Sequence, residues 1–269
     1  MKILLRNNDL NEALFGLSNI GFVPTMGSLH EGHISLIKKS IRYCNKTIVS
    51  IFVNPTQFNN KNDYNRYPKN IKKDLKILKK LKVNFVYLPS KNQVYNSKNP
   101  IKILLSKKDK ILCAKHRKGH FEGVIDVMTR LTKIIKPSKI FMGEKDYQQL
   151  LLVKKFVEKN FKSKIISCKT IRNRNKLALS SRNLLLNKKS IINAEKIARD
   201  LISFKKKLKN TFTKKLIFTK KVELEKKYNI YIEYLEIRNK RNLKISRKIN
   251  NSKIFIAYFL DKIRLIDNF

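Results

Sequence analysis

The chain has 269 residues, 42% of them apolar and 30% charged, which suits one large or two modest packed domains and excludes a disordered or fibrous chain. Its formal charge of +43 taken alone points to nucleic acid or a membrane surface, but the lysines run along the whole chain in company with Asn and Ile, residues with codons built from A and T only. Drift toward A+T accounts for that charge, and with no aromatic-interleaved basic stripe, no DNA-binding motif and no apolar stretch of spanning length, neither a specific nucleic-acid partner nor a membrane is expected.

Short β-branched runs alternate with helical patterns through the first two-thirds of the chain. Strands are predicted at 20–23, 47–53, 84–88, 140–142 and 164–171, with helices near 32–43, 70–81, 122–136 and 147–160 between them. The third helix is the clearest, with Val124, Met128, Leu131 and Ile135 on one stripe; in the first, Ile34, Ile37 and Ile41 recur at helical spacing. Alternation of this kind predicts an α/β fold, a Rossmann-like parallel sheet with helices on both faces and ligands beyond the carboxyl ends of its strands. After about Arg172 the pattern changes to a Lys-rich helix at 188–209 and strands at 230–237, 254–260 and 263–266, so the expected division is a nucleotide-binding domain, 1–172, and a smaller C-terminal α+β domain, 173–269. Cys44, Cys113 and Cys168 are widely spaced and form no C-x-x-C pair, and 1–17 carries no signal-peptide pattern; buried thiols in a cytoplasmic protein are the expectation.

Chemistry gathers at the predicted strand ends. The first strand passes into Pro24-Thr25-Met26-Gly27-Ser28-Leu29-His30-Glu31-Gly32-His33, which puts two imidazoles at a helix start, where free backbone N–H groups and the helix dipole favour an anion. Gly27 allows a tight turn and Gly32 leaves room for a flat ring or a phosphate against the main chain. The zinc-protease pattern needs His at i and i+4; this pair is at i, i+3 with no third ligand in sight. The second strand ends in Val49-Ser50-Ile51-Phe52-Val53-Asn54-Pro55-Thr56-Gln57-Phe58, where Gln57 offers uncharged donors and an acceptor suited to a small hydroxy acid, or else ties down its own loop. Three further segments follow: Arg117-Lys118-Gly119-His120-Phe121-Glu122-Gly123, Phe141-Met142-Gly143-Glu144-Lys145-Asp146-Tyr147-Gln148-Gln149, and Leu179-Ser180-Ser181-Arg182-Asn183.

In order, these five segments closely resemble the pantothenate synthetase family, the pantoate:β-alanine ligases of the superfamily that holds the His-x-Gly-His nucleotidyl transferases and class I aminoacyl-tRNA synthetases. The resemblance runs from about Pro24 to Asn183 and returns at Arg264-Leu265-Ile266-Asp267-Asn268. It implies an ATP-dependent ligase of the coenzyme A pathway, in which pantoate attacks the α-phosphate of ATP, giving pantoyl adenylate and pyrophosphate, and β-alanine then attacks the acyl carbon, giving pantothenate and AMP. Carried over by position, Met26, Gly27, Ser28, Leu29, His30, Glu31, Gly32 and His33 cradle ATP, with His33 as proton donor and His30 beside it. Gly143, Glu144, Lys145 and Asp146 form a second wall, Lys145 reaching the phosphates. Ile171 meets the nucleotide through its backbone, while Leu179, Ser180, Ser181 and Arg182 close over the phosphates, Arg182 neutralising the departing pyrophosphate. Gln57 and Gln149 hold pantoate. The resemblance also implies magnesium on the ATP phosphates, its protein ligands unassigned and Asp74 and Asp146 named only as outer partners, a homodimer, and a lid role for the smaller domain. A nucleotidyltransferase joining a mononucleotide to ATP is the alternative within the superfamily, and it has no use for Gln57, Gln149 or the Ser-Ser-Arg-Asn segment. Lys118 stands where the family has Pro, and Lys176 and Asp261 where it has Gly, so loop stiffness and turn geometry are expected to suffer before chemistry does.

Overall fold

The computed structural model describes residues 1–95 and 103–269 and divides them into two compact units, Met1–Lys169 and Thr170–Phe269. In the first unit the chain runs through β1 (Lys2–Leu4), α1 (Asn7–Leu14), β2 (Ile20–Thr25), α2 (Glu31–Tyr43), β3 (Lys46–Ile51), α3 (Lys61–Asn65), α4 (Ile71–Lys80), β4 (Phe85–Tyr87), α5 (Lys91–Val94), α6 (Cys113–His116), α7 (His120–Ile135), β5 (Lys139–Gly143), α8 (Tyr147–Asn160) and β6 (Lys164–Cys168). The strands form a six-stranded parallel sheet in the order β1-β4-β3-β2-β5-β6. Ile20, Phe22, Val23, Ile48, Val49, Ile140 and Phe141 are all buried. Their continuous apolar runs, without alternation, are what a sheet covered on both faces requires, and each such side chain contributes about 1.5–3 kcal/mol by leaving water.

The helices follow the predicted stripes with one exception. Val124, Met128, Leu131 and Ile135 of α7 are buried as expected, whereas in α2 the buried face is Leu36, Ile37 and Ser40, and Ile41 is 40% exposed. Ser40 displaces the isoleucine from that face because its hydroxyl shares a 2.8 Å hydrogen bond with the Thr47 hydroxyl of β3, and because a glycine, Gly21, leaves room for it on β2. The β3 strand stops at Ile51, before the predicted 53, and β6 stops at Cys168 rather than 171. All three cysteines are free and buried.

The second unit contains α9 (Lys188–Lys207), α10 (Lys214–Tyr228), and an antiparallel sheet of β7 (Tyr231–Asn239), β8 (Ser252–Leu260) and β9 (Ile263–Asn268) in that order. Its own core joins Ala194, Ile197 and Leu201 of α9 and Leu224 and Tyr228 of α10 to Ile232, Ile254 and Ile256 of the sheet. Lys176 and Asp261, the two positions where glycine was expected, both lie in the left-handed region, at φ +75° and +47°. Asp261 has a compensation: its carboxylate accepts from Asn187 Nδ2 at 2.8 Å and from the Ser190 hydroxyl, at the start of α9.

Candidate active site

Strand order decides which loops meet. With β2 between β3 and β5, three adjacent parallel strands end on one edge and deliver 26–30, 52–57 and 144–146 side by side. His30 and His33 leave the first of these loops, Gln57 ends the second, and Lys145 lies in the third, directly before α8 with Gln149 in its first turn.

The loop after β2 is held from within. Gly27 and Ser28 both have positive φ, +83° and +53°; for Ser28 that conformation costs about 1–2 kcal/mol. The Gly27 N–H donates to the Thr25 hydroxyl at 3.2 Å, and the Ser28 and Leu29 N–H groups donate to the two carboxylate oxygens of buried Asp74, each at 2.8 Å. His30 caps α2, its Nδ1 accepting from the Gly32 N–H at 3.1 Å; His33 Nδ1 accepts from the His30 N–H at 3.4 Å. Gly32 is needed there because a Cβ would sit 2.7 Å from the His30 ring. The N–H groups of 27, 28, 29, 30 and 32 are therefore engaged by the protein's own acceptors. Most of these donors precede α2; within its first turn the Gly32 N–H is taken by His30, and the space beside Gly32 holds the ring of His30.

What the loop offers instead is the far side of two imidazoles, whose ring centres are 4.1 Å apart. Burial pushes the His30 pKa down to about 4, Lys145 adding to the effect and Asp146 opposing it. Burial likewise takes His33 down to about 3, helped by His30 and then Lys145. Both rings are neutral at pH 7, and since each Nδ1 accepts a backbone N–H, each proton resides on Nε2. The site thus presents two neutral N–H donors and the Lys145 ammonium, which pairs loosely with Asp146 at 3.9 Å.

Gln57 is fixed by a separate set of contacts. Its Nε2 donates to Met26 Sδ at 3.0 Å, tying the loop after β3 to the loop after β2, and its Oε1 accepts from Asn54 Nδ2 at 3.2 Å. Asn54 is buried and also donates to the Gly123 carbonyl at 3.1 Å, while Tyr95 donates to Asn54 Oδ1 at 2.7 Å. His120 Nδ1 donates to the Gln57 carbonyl at 2.7 Å, which leaves His120 Nε2 to accept from Arg117 Nη1 at 2.9 Å. A Cβ on Gly123 would stand 2.4 Å from the Thr56 carbonyl oxygen, so α7 reaches this loop only through a glycine. The segment from Arg117 to Gly123, visible in the sequence without a task, is the support of Gln57. Asn54 and Tyr95 were not singled out; a buried Asn after an apolar strand was the available signal for the former.

Glu144 accepts from the Ser167 hydroxyl at 3.0 Å, and Gln148, beside Gln149, is buried and donates to the carbonyls of Asp109 and Ile111. Among the described residues no group of three or more His, Cys, Asp or Glu is arranged to hold a metal ion, and both Asp74 oxygens are taken by backbone N–H groups. In the second unit the Leu179 N–H donates to the Ile171 carbonyl at 3.0 Å, pairing those two predicted site residues across a hairpin. There the Ser180 hydroxyl accepts from the Arg182 N–H at 3.3 Å, Ser181 is buried and Arg182 half-buried. Arg172 at the hairpin base makes a bidentate pair with Asp267, at 2.7 and 2.8 Å.

The family model described as Pantoate-beta-alanine ligase matches residues 4–269. The chain belongs to the pantoate-beta-alanine ligase family. A pantothenate synthetase from Francisella philomiragia is 41% identical over 269 residues, covering 97% of this chain and 93% of its own. Among solved structures, the Francisella tularensis pantoate-beta-alanine ligase complexed with beta-gamma ATP and beta-alanine is 39% identical with a TM-score of 0.85, covering 100% of this chain and 97% of its own. A Thermus thermophilus ligase is 29% identical with a TM-score of 0.87, covering 100% and 99%. The α/β architecture with a separate antiparallel unit is thus that of pantoate-beta-alanine ligases, as the order of the motifs implied.

Proposed function

We propose that this ligase works in two steps at the edge formed by β3, β2 and β5. In the first, a pantoate carboxylate oxygen attacks the α-phosphorus of ATP, the bond from that phosphorus to the bridging oxygen breaks, and pyrophosphate leaves. In the second, the β-alanine amine attacks the acyl carbon of pantoyl adenylate, the carbon–oxygen bond to AMP breaks, and the amine releases a proton to solvent. The first step is a displacement on phosphorus, which calls for alignment and for donors aimed at developing charge rather than for a covalent nucleophile.

The observation that carries this reading is the pair of neutral imidazoles beside Lys145. Their Nε2–H groups are fixed by the bonds their Nδ1 atoms make, so they are ready to donate to the α-phosphate oxygens without reorganising, and Lys145 supplies the formal charge. His33 is assigned the donor closest to the reaction and His30 the adjacent one. Gln57, held through its carbonyl and both ends of its amide, recognises pantoate together with Gln149, and Gln57 also meets β-alanine; such hydrogen-bonded sites reject analogues lacking the hydroxyl strongly. Met26 to Gly32 and Gly143 to Asp146 flank the nucleotide, Ile171 meets it through backbone, and Leu179, Ser180, Ser181 and Arg182 serve the departing pyrophosphate. For those second-unit residues, and for that unit's role as a lid from about residue 173, the support is the family motif.

Magnesium enters with ATP as part of the substrate. It would be held mostly by the phosphates and water, with Asp74 and Asp146 as outer partners at most. A cytoplasmic homodimer completes the reading; no helix among the described residues is long and apolar enough to cross a membrane. Incubation of purified protein with ATP, pantoate and β-alanine should yield pantothenate, AMP and pyrophosphate in equal amounts. ADP with phosphate, or a dinucleotide, would refute the proposal.

A further inference from the structure

We infer that Asp74 is a positioning residue for adenylation, holding His30 and His33 in register through the backbone of 28–29 rather than acting on the metal-bound phosphates. Asp74 lies in the first turn of α4, 1% exposed, and reaches across to the loop after β2. Its Oδ2 accepts from the Ser28 N–H and its Oδ1 from the Leu29 N–H, both at 2.8 Å. Bonds to a carboxylate are the strong kind, and a bidentate pair fixes direction as well as distance.

The need for such a hold comes from the turn itself. Ser28 sits at φ +53° directly after Gly27 at +83°, a conformation a serine does not keep unaided, and His30 follows two residues later. A Cβ at Gly27 would stand 3.0 Å from Asp74 Oδ2, so turn and carboxylate are packed together. From His30 onward each imidazole is oriented by a backbone N–H of the same segment, Gly32 for His30 and His30 for His33. Displacing 28–29 therefore moves the N-cap of α2, and with it both Nε2–H donors. Asn70, the N-cap of α4, bonds the Lys73 N–H, which leaves the Asp74 carboxylate for the loop.

This inference rests on the adenylation reading above, and the experiment separates the two. Pantoate-dependent exchange of pyrophosphate into ATP is measured across a magnesium series for wild type, Asp74→Asn, which keeps size and loses one acceptor, and Asp74→Glu, which keeps charge and moves both oxygens by a methylene. The expected result is a fall of tenfold or more in the maximal exchange rate of both folded variants at saturating ATP and pantoate. The half-saturating magnesium and the KM for pantoate should stay within twofold of wild type. Near-normal rates in either variant, or recovery of the Asn variant at high magnesium, would overturn the inference, the latter because it places Asp74 on the cation. Loss of folded protein in both variants would also overturn it, by making Asp74 a stability residue. Absence of exchange in wild type would instead sink the adenylation reading itself.

Discussion

Lowering the pH from about 6.5 to about 5 should destabilise this protein through His30 and His33, and the size of the loss follows from their burial. Their folded pKa values are about 4 and about 3, against 6.5 for an unburied histidine. A group whose folded pKa lies below its unfolded value binds fewer protons folded than unfolded, so stability falls as pH drops through the unfolded pKa and goes on falling until the folded value is reached. Across about pH 6 to 5 each ring contributes up to about 1.4 kcal/mol per pH unit, and the pair roughly 2–3 kcal/mol per unit. Asp109 and Asp200, whose pKa values are pulled down by their hydrogen-bonded lysines and hydroxyls against the opposing effect of burial, add to acid loss mainly nearer the unfolded carboxylate range of about 4. The assay is urea unfolding at several pH values and constant ionic strength for wild type and His33→Asn, in which the amide oxygen keeps an acceptor near the Nδ1 position. The variant should show roughly half the slope attributable to the pair. Identical slopes would mean that His33 carries no buried neutral state, and the tautomer argument for an Nε2–H donor would fail with it.

Replacement of His33 or Lys145 by Ala should each lower turnover at least about a hundredfold with the fold intact, as loss of a preorganised donor to developing charge does; near-normal steady-state rates in either would refute that residue's role. Gly123→Ala should destabilise by about 1–3 kcal/mol, because its new methyl meets the Thr56 carbonyl at 2.4 Å. In steady-state kinetics it should raise the KM for pantoate more than that for ATP, since the displaced loop carries Gln57. Lys176→Gly should stabilise by about 0.5–1 kcal/mol in urea unfolding by relieving a left-handed lysine, net of the entropy glycine adds to the unfolded chain. Asp261→Gly relieves similar strain but forfeits the bonds to Asn187 and Ser190, so it should give no such gain.

The parallel sheet and its site edge were legible because β2, β3 and β5 are mostly apolar, buried runs followed by Asn-Pro after β3 and Glu-Lys-Asp after β5, although β2 runs through Pro24 to Thr25, past the predicted end at 23. What the sequence hid was local. The edge strand β1 and the helix α1 are short, β1 exposes Ile3 and α1 buries only Leu10, so no periodicity marks them. Helix α10 buries Leu224 and Tyr228 while Phe218 and Val222 face outward among lysines, which blurs its apolar stripe. At the site, residue types announced phosphate chemistry, but only the folded chain shows that Asp74 and the two histidines accept from the backbone N–H groups of 28, 29, 30 and 32. Long-range partners of this sort, Asp74 with Ser28 or His120 with Gln57, leave no spacing pattern in a single chain.

The central claim is that pantoate is activated by adenylation at the edge carrying His30, His33 and Lys145, before β-alanine takes part. Its most direct test is exchange of labelled pyrophosphate into ATP by the purified protein with pantoate present and β-alanine omitted. The account predicts exchange that requires pantoate, proceeds without β-alanine and is lost in Lys145→Ala. Folded wild-type protein that makes pantothenate yet exchanges no pyrophosphate until β-alanine is added would contradict it.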